Sequence, residues 1–275
     1  MAKSNLIIDL TGKVAVVTGG DRGIGEGVVA ALIKSGAIVC IACRDLEKVE
    51  QAREEYKKID AEILSVEVDV TNQESVDKMV DEIIKMYGRI DILVNNAGTV
   101  GAPGWEKRQE ETIDDWKVNY EVNLLGLSRV SNAVAAQMKN KKFGKIINIS
   151  STAGRGGNKD HVPSSYGATK AGVINLTQTN ALAWAPFNIN VNAVCPGIIW
   201  TPMWEQVAGR LSIYKDEERD KSAKEVYNRQ VSSRIPLGRE QTPEDIGNVV
   251  AFLSSELSKN ITGQSINVNG GIRMN

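Results

Sequence analysis

Seven short runs rich in Val and Ile are spaced along this chain, and in the stretches between them apolar residues recur every three or four positions. A short apolar run without polar alternation fits a strand covered on both faces, whereas the intervening pattern fits helices that bury one stripe. Strands separated by helices pair in parallel through helical crossovers, so this rhythm points to an α/β fold with helices on both faces of one sheet. Strands are predicted near Lys13–Thr18, Ala37–Cys43, Glu62–Val68, Ile90–Asn95, Lys145–Ser150, Ile189–Val194 and Ser265–Val268. Helices are predicted near Gly23–Ser35, Leu46–Lys58, Gln73–Tyr87, Thr112–Lys139, Ser164–Ala185 and Pro243–Ser254. Seven strands and six helices describe a doubly wound parallel sheet. With 275 residues and neither an internal repeat nor a low-complexity linker, the chain reads as a single domain over 1–275.

The rhythm lapses once, between Thr201 and Arg234. Ligands of open α/β sheets bind beyond the carboxyl ends of the strands, so a segment inserted after the sixth strand is placed to cover a site, and 201–234 is predicted to be a substrate lid. Its densely charged part, Tyr214–Lys224, reads as solvated surface rather than substrate contact.

Charge and cysteine content exclude several classes of function. The formal net charge is -1, with acids and bases interspersed, which provides no field for nucleic acid or an anionic membrane. The apolar patch in Met1–Leu10 is too short for a signal peptide, and no long uncharged run follows, so a soluble cytoplasmic protein is expected. Cys40, Cys43 and Cys195 are an odd set in a long chain, which argues against a disulfide framework. Cys40 and Cys43 have redox-motif spacing, but residues three apart on a strand face opposite sides, so packing is the expected role. His161 is the single histidine, and no zinc or other metal site is predicted.

The first strand runs into Thr18-Gly19-Gly20-Asp21-Arg22-Gly23-Ile24-Gly25, and a helical pattern starts at once. Glycines let the backbone approach a ligand, and the free N–H groups of a helix N-terminus favour a pyrophosphate. Gly19, Arg22, Gly23, Ile24 and Gly25 are therefore candidate dinucleotide contacts, although their spacing only approximates G-x-G-x-x-G. Cofactor choice depends on the end of the second strand, where an acid suits NAD and a cation suits the extra phosphate of NADP. Cys43 stands where the acid is sought, Arg44 follows, and Arg22 adds a second cation. NADP(H) is thus favoured over NAD(H), because a guanidinium binds phosphate bidentately. A one-residue slip would instead present Asp45. At the end of the third strand Asp69 and Val70 either flank an adenine or open the next helix, with Asp69 as its cap.

The remaining chemistry centres on Tyr166-Gly-Ala-Thr-Lys170. Residues four apart share a helix face, so phenol and ammonium would point into one space. A phenol with its ordinary pKa of about 10 is a poor base near neutral pH. A neighbouring cation favours the phenolate, and Lys170 is accordingly expected to lower the pKa of Tyr166.

Read in order, Thr18–Gly25, Asn95-Asn96-Ala97-Gly98, Asn123 in Val-Asn-Leu, Asn148-Ile149-Ser150-Ser151, Tyr166–Lys170, and Pro196-Gly197 with Thr201 resemble the motif series of the short-chain dehydrogenase/reductase family over nearly the whole chain. The resemblance implies a Rossmann-type fold, a nicotinamide cofactor, a small-molecule alcohol or ketone substrate, and a homotetramer or homodimer. It implies further that Tyr166 is the general acid/base, that Lys170 tunes it and holds the nicotinamide ribose, and that Ser151 hydrogen-bonds the substrate oxygen. Asn123 would hold a water linking Lys170 to solvent. Pro196, Gly197, Ile199 and Thr201 would bind near the nicotinamide, with Thr201 orienting its carboxamide, while Asn95, Asn96, Ala97 and Gly98 would line the adenosine side.

Two departures from the family's pattern stand out. The usual serine-to-tyrosine spacing lands on Ala153, two residues beyond Ser151. The motif favours Ser151, with the polar loop Gly154–Pro163 absorbing the extra length and Ser150 as the alternative. Val268-Asn269-Gly270-Gly271 carries Asn where many relatives have Asp.

Arg155, Lys159, Asp160 and His161 lie in a loop that either recognises a polar or anionic substrate group or forms an exposed turn. Trp105, Trp200 and Trp204 either wall the pocket or pack elsewhere. The leading expectation is hydride transfer between NADP(H) or NAD(H) and a secondary alcohol or ketone. Enoyl reduction, whose enzymes space Tyr and Lys more widely, is one alternative; a nucleotide-binding sensor without catalysis is the other.

Overall fold

The computed structural model describes residues 7–45, 47, 50, 63–156 and 164–275. Among them, seven strands form one parallel sheet in the order β3-β2-β1-β4-β5-β6-β7. They are β1 Val14–Thr18, β2 Ile38–Cys43, β3 Ile63–Glu67, β4 Ile92–Asn95, β5 Gly144–Ile149, β6 Ile189–Pro196 and β7 Ser265–Val268. All five residues of β1 are buried, and the pleat divides them between two cores. Val14 and Val16 enter the core beneath α2 (Gln73–Tyr87), α4 (Leu127–Lys141) and α5 (Ser165–Trp184). Ala15 and Val17 enter the one beneath α1 (Ile24–Lys34) and α8 (Pro243–Ser254). Cys40 belongs to the first core and Cys43 to the second, so the strand separates the two thiols by facing them apart. No helix among the described residues is long and apolar enough to cross a membrane.

Local chemistry explains where several helices start and how they meet. Thr242 and Asp245 form a capping box at the start of α8, with Pro243 in its first turn. The helices α1 and α8 meet at Gly27 and Gly247, where a Cβ on Gly247 would lie 2.3 Å from the Gly27 carbonyl oxygen.

Three expectations change. The helix expected over Thr112–Lys139 is three pieces: α3 (Ile113–Asn119), a π-helical segment Tyr120–Gly126, and α4. The wider π turn rotates Asn119 and Asn123 inward, a device that periodicity cannot reveal. The segment 201–234 is not irregular: it holds α6 (Pro202–Tyr214) and α7 (Ala223–Arg234). Their apolar side chains serve a separate small cluster around Ile198, Tyr227, Val231 and Ile235, with Trp200 and Trp204 edge-on to Tyr227. Nor is its charged stretch wholly solvated, because Glu218 is fully buried and receives Gln230 Nε2 at 3.2 Å and Lys221 Nζ at 3.3 Å. The helix predicted over Leu46–Lys58 lies, apart from Glu47 and Glu50, outside the described residues.

Candidate active site

β1 is paired with β2 on one side and β4 on the other, so the chain reverses its winding direction there and leaves a crevice beyond the strand ends. A cleft of about 1380 Å³ occupies it. Gly19, Arg22, Gly23, Ile24, Arg44, Asp69, Val70, Asn96, Ala97, Gly98, Ser151, Tyr166, Lys170, Pro196, Gly197, Ile199 and Thr201 stand in its wall.

The glycine turn is fastened to β4 by side chains. Thr18 Oγ1 accepts the Asn96 N–H at 3.0 Å and the Ala97 N–H at 3.1 Å, and Asn96 Nδ2 donates to the Gly19 carbonyl at 2.7 Å. Gly23, at the N-cap of α1, has φ 57°, a region that side chains strain. A Cβ there would also meet Thr201 Cγ2 at 3.2 Å, which places Thr201 directly across the turn. Gly25 lies off the cleft wall: a Cβ on it would fall 2.0 Å from the Gly19 carbonyl, so its missing side chain lets α1 seat on the turn. Asn95 likewise turns inward, donating to Ser131 Oγ and Asn148 Oδ1.

At the end of the cleft where an adenosine is expected, β2 stops at Cys43, opposite Glu67, and Arg44 is the first residue beyond it. Burial, with Asp21 adding to it, pushes the Cys43 thiol up to about 11, so this position is a neutral wall. Arg22 and Arg44 both line the cleft, as do Asp21 and Asp45. Asp69 accepts Thr71 Oγ1 at 2.7 Å and Thr71 N–H at 2.9 Å, and these bonds hold its carboxyl below the usual range. Its side chain therefore organises the turn before α2 while its backbone borders the cleft.

At the opposite end Tyr166 sits in the first turn of α5, where Ser164 caps by accepting the Gly167 N–H at 3.0 Å. The phenol stands beside the Ser151 side chain, and both line the cleft. Ser150 is committed elsewhere, its Oγ donating to the Lys170 carbonyl at 2.8 Å, so Ser151 is the serine that meets the tyrosine. Lys170 is 4% exposed, donates to the Ile149 carbonyl at 2.8 Å, and places its Nζ 5.6 Å from the Tyr166 ring centroid.

The expected lowering of the Tyr166 pKa is not what this geometry produces. Burial pushes the phenol up to about 12, only partly offset by Ser151, and burial brings the Lys170 ammonium down to about 8. Desolvation is the largest cause of both shifts. Near neutral pH the pair is a protonated phenol beside a cation, the arrangement of a proton donor.

Asn123 is fully buried behind this pair rather than on the cleft wall. Its Nδ2 donates to Thr99 O at 2.9 Å and Asn119 Oδ1 at 3.0 Å, and its Oδ1 accepts the Thr99 N–H at 2.8 Å. A Cβ on Gly98 would lie 3.2 Å from Asn123 Oδ1 and 3.6 Å from Lys170 Nζ, so the missing side chain leaves room for both groups behind the cleft wall at this glycine. Sequence reading missed Asn119, whose Nδ2 donates to Ser165 Oγ at 2.7 Å; its place one turn before Asn123 was the available signal. It also missed Glu111 and Arg210, for which no local signal exists.

Arg155 does not serve the cleft: its Nε donates to Asn267 Oδ1 at 3.2 Å and its guanidinium binds the Ser265 carbonyl, tying the loop to β7. Lys159, Asp160 and His161 lie outside the described residues. Trp105 and Trp204 line the cleft, whereas Trp200 packs on Tyr227. Thr201 also caps α6, accepting the Trp204 N–H at 3.3 Å.

These residues fit a nicotinamide dinucleotide: a bare backbone cradle at a helix N-terminus, guanidinium groups at one end, and a phenol with an ammonium at the other. Comparison with known proteins agrees. Residues 19–273 match the family model described as enoyl-(acyl carrier protein) reductase. The chain is 38% identical to a 3-oxoacyl-[acyl-carrier-protein] reductase of Aquifex aeolicus, over 96% of this chain and 99% of that protein. It is 36% identical to a (2S)-[(R)-hydroxy(phenyl)methyl]succinyl-CoA dehydrogenase subunit of Thauera aromatica, covering 94% and 96%. The structure of a variant actinorhodin polyketide ketoreductase with NADPH superposes with a TM-score of 0.83 at 33% identity, covering 94% and 97%. Fold, motif order and relatives coincide, and the chain belongs to the short-chain dehydrogenase/reductase family as an NAD(P)-dependent oxidoreductase that interconverts ketones and alcohols.

Proposed function

We propose that the protein reduces a ketone to a secondary alcohol with NADP(H), and that Tyr166 supplies the proton. The observation that carries this reading is the placing of Tyr166 beside Ser151 in the cleft wall, with the buried Lys170 ammonium behind them. When bound, the nicotinamide supplies the hydride. Backbone N–H groups at Gly19–Gly23 would hold its pyrophosphate, Arg22 and Arg44 the ribose phosphate, Lys170 the nicotinamide ribose and Thr201 the carboxamide. Ser151 donates a hydrogen bond to the ketone oxygen, and Tyr166 transfers its proton to that oxygen as negative charge develops there. Lys170, still an ammonium, stabilises the phenolate that results. Protons return to Lys170 through a water that Asn123 would hold.

The 3-oxoacyl thioesters named for several relatives are the substrate class we assign first, with the helices of 201–234 as the lid that selects among them. The four-residue Tyr–Lys spacing and the Ser151 contact favour carbonyl over enoyl reduction. We place the enzyme in the reducing cytoplasm, supported by three buried cysteines that form no disulfide, and as a homodimer or homotetramer, supported by Ile113, Trp116 and Tyr120 exposed along one helix face.

Tyr166→Phe tests the core of the proposal. NADPH oxidation with a 3-oxoacyl thioester should fall about 10²–10⁴-fold, while NADPH binding, followed by nucleotide fluorescence, is retained. Unchanged turnover would reject the assignment.

A further inference from the structure

The loop between β4 and α3 ends in a buried carboxylate that joins two elements the proposed chemistry needs together. Glu111 Oε2 accepts the Ser165 N–H at 2.8 Å, and Ser165 is the first residue of α5 and the neighbour of Tyr166. Glu111 Oε1 receives the Trp105 indole N–H at 3.4 Å and lies 3.8 Å from Arg210 Nη1 on α6. Arg210 is 3% exposed, stacks 4.2 Å from the Trp105 ring centroid and donates to the Gln109 carbonyl at 3.1 Å. Trp105, Glu111 and Arg210 all stand in the cleft wall, and α6 adds Met203, Val207 and Leu211 to it. One carboxylate thus links the helix covering the cleft to the first turn of the helix that carries the tyrosine.

Each bond in this link has a physical reason to depend on the others. A buried carboxylate deprived of its cation is strongly disfavoured, so Glu111 is held over Ser165 best when Arg210 is seated. Its charge at the N-terminus of α5 also complements the helix dipole. A substrate packing against Met203, Val207 and Leu211 favours the seated position of α6, and through Glu111 it favours the seated position of Tyr166. Asn119 holds the hydroxyl of the same Ser165 at 2.7 Å, so the first turn of α5 is fixed from two directions.

We propose that Glu111 is a positioning residue: its pairing with Arg210 couples closure of α6 over the substrate to placement of Tyr166 against Ser151. This rests on Tyr166 being the proton donor. Glu111→Gln, Arg210→Met, Arg210→Lys and the Glu111→Gln/Arg210→Met double variant, with Tyr166→Phe as reference, test it by steady-state reduction of a short 3-oxoacyl thioester and by NADPH titration.

The coupling predicts that Glu111→Gln and Arg210→Met each lower kcat about 10- to 100-fold, the scale of a small misplacement of a reacting group. The NADPH Kd stays within about twofold, and the double variant is no worse than the weaker single, because the two residues act as one device. Arg210→Lys keeps the charge without the planar stack and falls between parent and Arg210→Met. If Glu111→Gln does not fold, the Arg210 pair decides alone: Arg210→Met at parent kcat rejects the coupling. Independent, multiplicative losses, or weakened NADPH binding with kcat intact, also reject it. Parent kcat in both single variants while Tyr166→Phe is inactive overturns this inference alone; an active Tyr166→Phe overturns the reading beneath it.

Discussion

Tyr166 and Lys170 show how a residue's chemistry is set by what surrounds it rather than by its sequence neighbours. The spacing placed phenol and ammonium on one helix face, and burial then drove their pKa values apart, to about 12 and about 8. The phenol remains protonated throughout the working range, so the group that titrates there is Lys170. In the proposed mechanism its protonated form would stabilise the phenolate left after proton transfer, and that form is lost as pH rises through about 8. Ketone reduction should therefore be level below that pH and decline above it, which a kcat/KM profile measures. Lys170→Arg keeps its charge at every accessible pH; it should abolish the decline even where its altered geometry lowers the plateau. A decline that persists unchanged in Lys170→Arg would assign the titration to another group. The two adjacent serines were equally legible in sequence, and only their partners, Lys170 O for Ser150 and the phenol for Ser151, separated their roles.

Among the elements, helices that pack on the sheet were legible and helices that do not were missed. Gln73–Tyr87 and Pro243–Ser254 have the observed bounds of their predicted helices, since their apolar stripes face the sheet. In 201–234 the stripe faces a four-residue satellite core, and the pattern is too weak to distinguish two helices from a loop. Contact between elements also decides what a glycine means. Gly247 in α8 would set a Cβ 2.3 Å from the backbone oxygen of Gly27, whereas Gly209 in α6 has nothing within 4 Å. Gly247→Ala should destabilise by about 1–3 kcal/mol through overpacking, and Gly209→Ala should stabilise by about 0.4–1 kcal/mol through the unfolded chain. Chemical denaturation compares the two directly, and equal effects would contradict this account of the α1–α8 contact.

At the scale of the whole molecule, the cleft draws its wall from the ends of β1, β2, β4, β5 and β6, so a ligand filling it braces the sheet across its width. Binding to the folded state alone stabilises by about 2.7 kcal/mol at a hundredfold excess over Kd. NADPH should thus raise the melting temperature, and by more than NADH at equal concentration, because Arg22 and Arg44 stand at the adenosine end. A larger shift with NADH, measured by calorimetry, would reverse the cofactor assignment made from Arg44.

By itself the sequence determined the seven strands, their parallel sheet, the glycine turn at the end of β1 and the shared face of Tyr166 and Lys170. All of these rest on interactions between residues close along the chain, where periodicity and spacing carry the information. Only the tertiary structure decided which serine meets the tyrosine, that Gly25 seats a helix, and that the phenol is held protonated. It alone brought Arg210 to the Gln109 carbonyl, 101 residues away in the chain, and to Glu111 beside the helix that carries Tyr166. Desolvation and long-range pairing depend on which surfaces the fold brings together, and no local pattern encodes that.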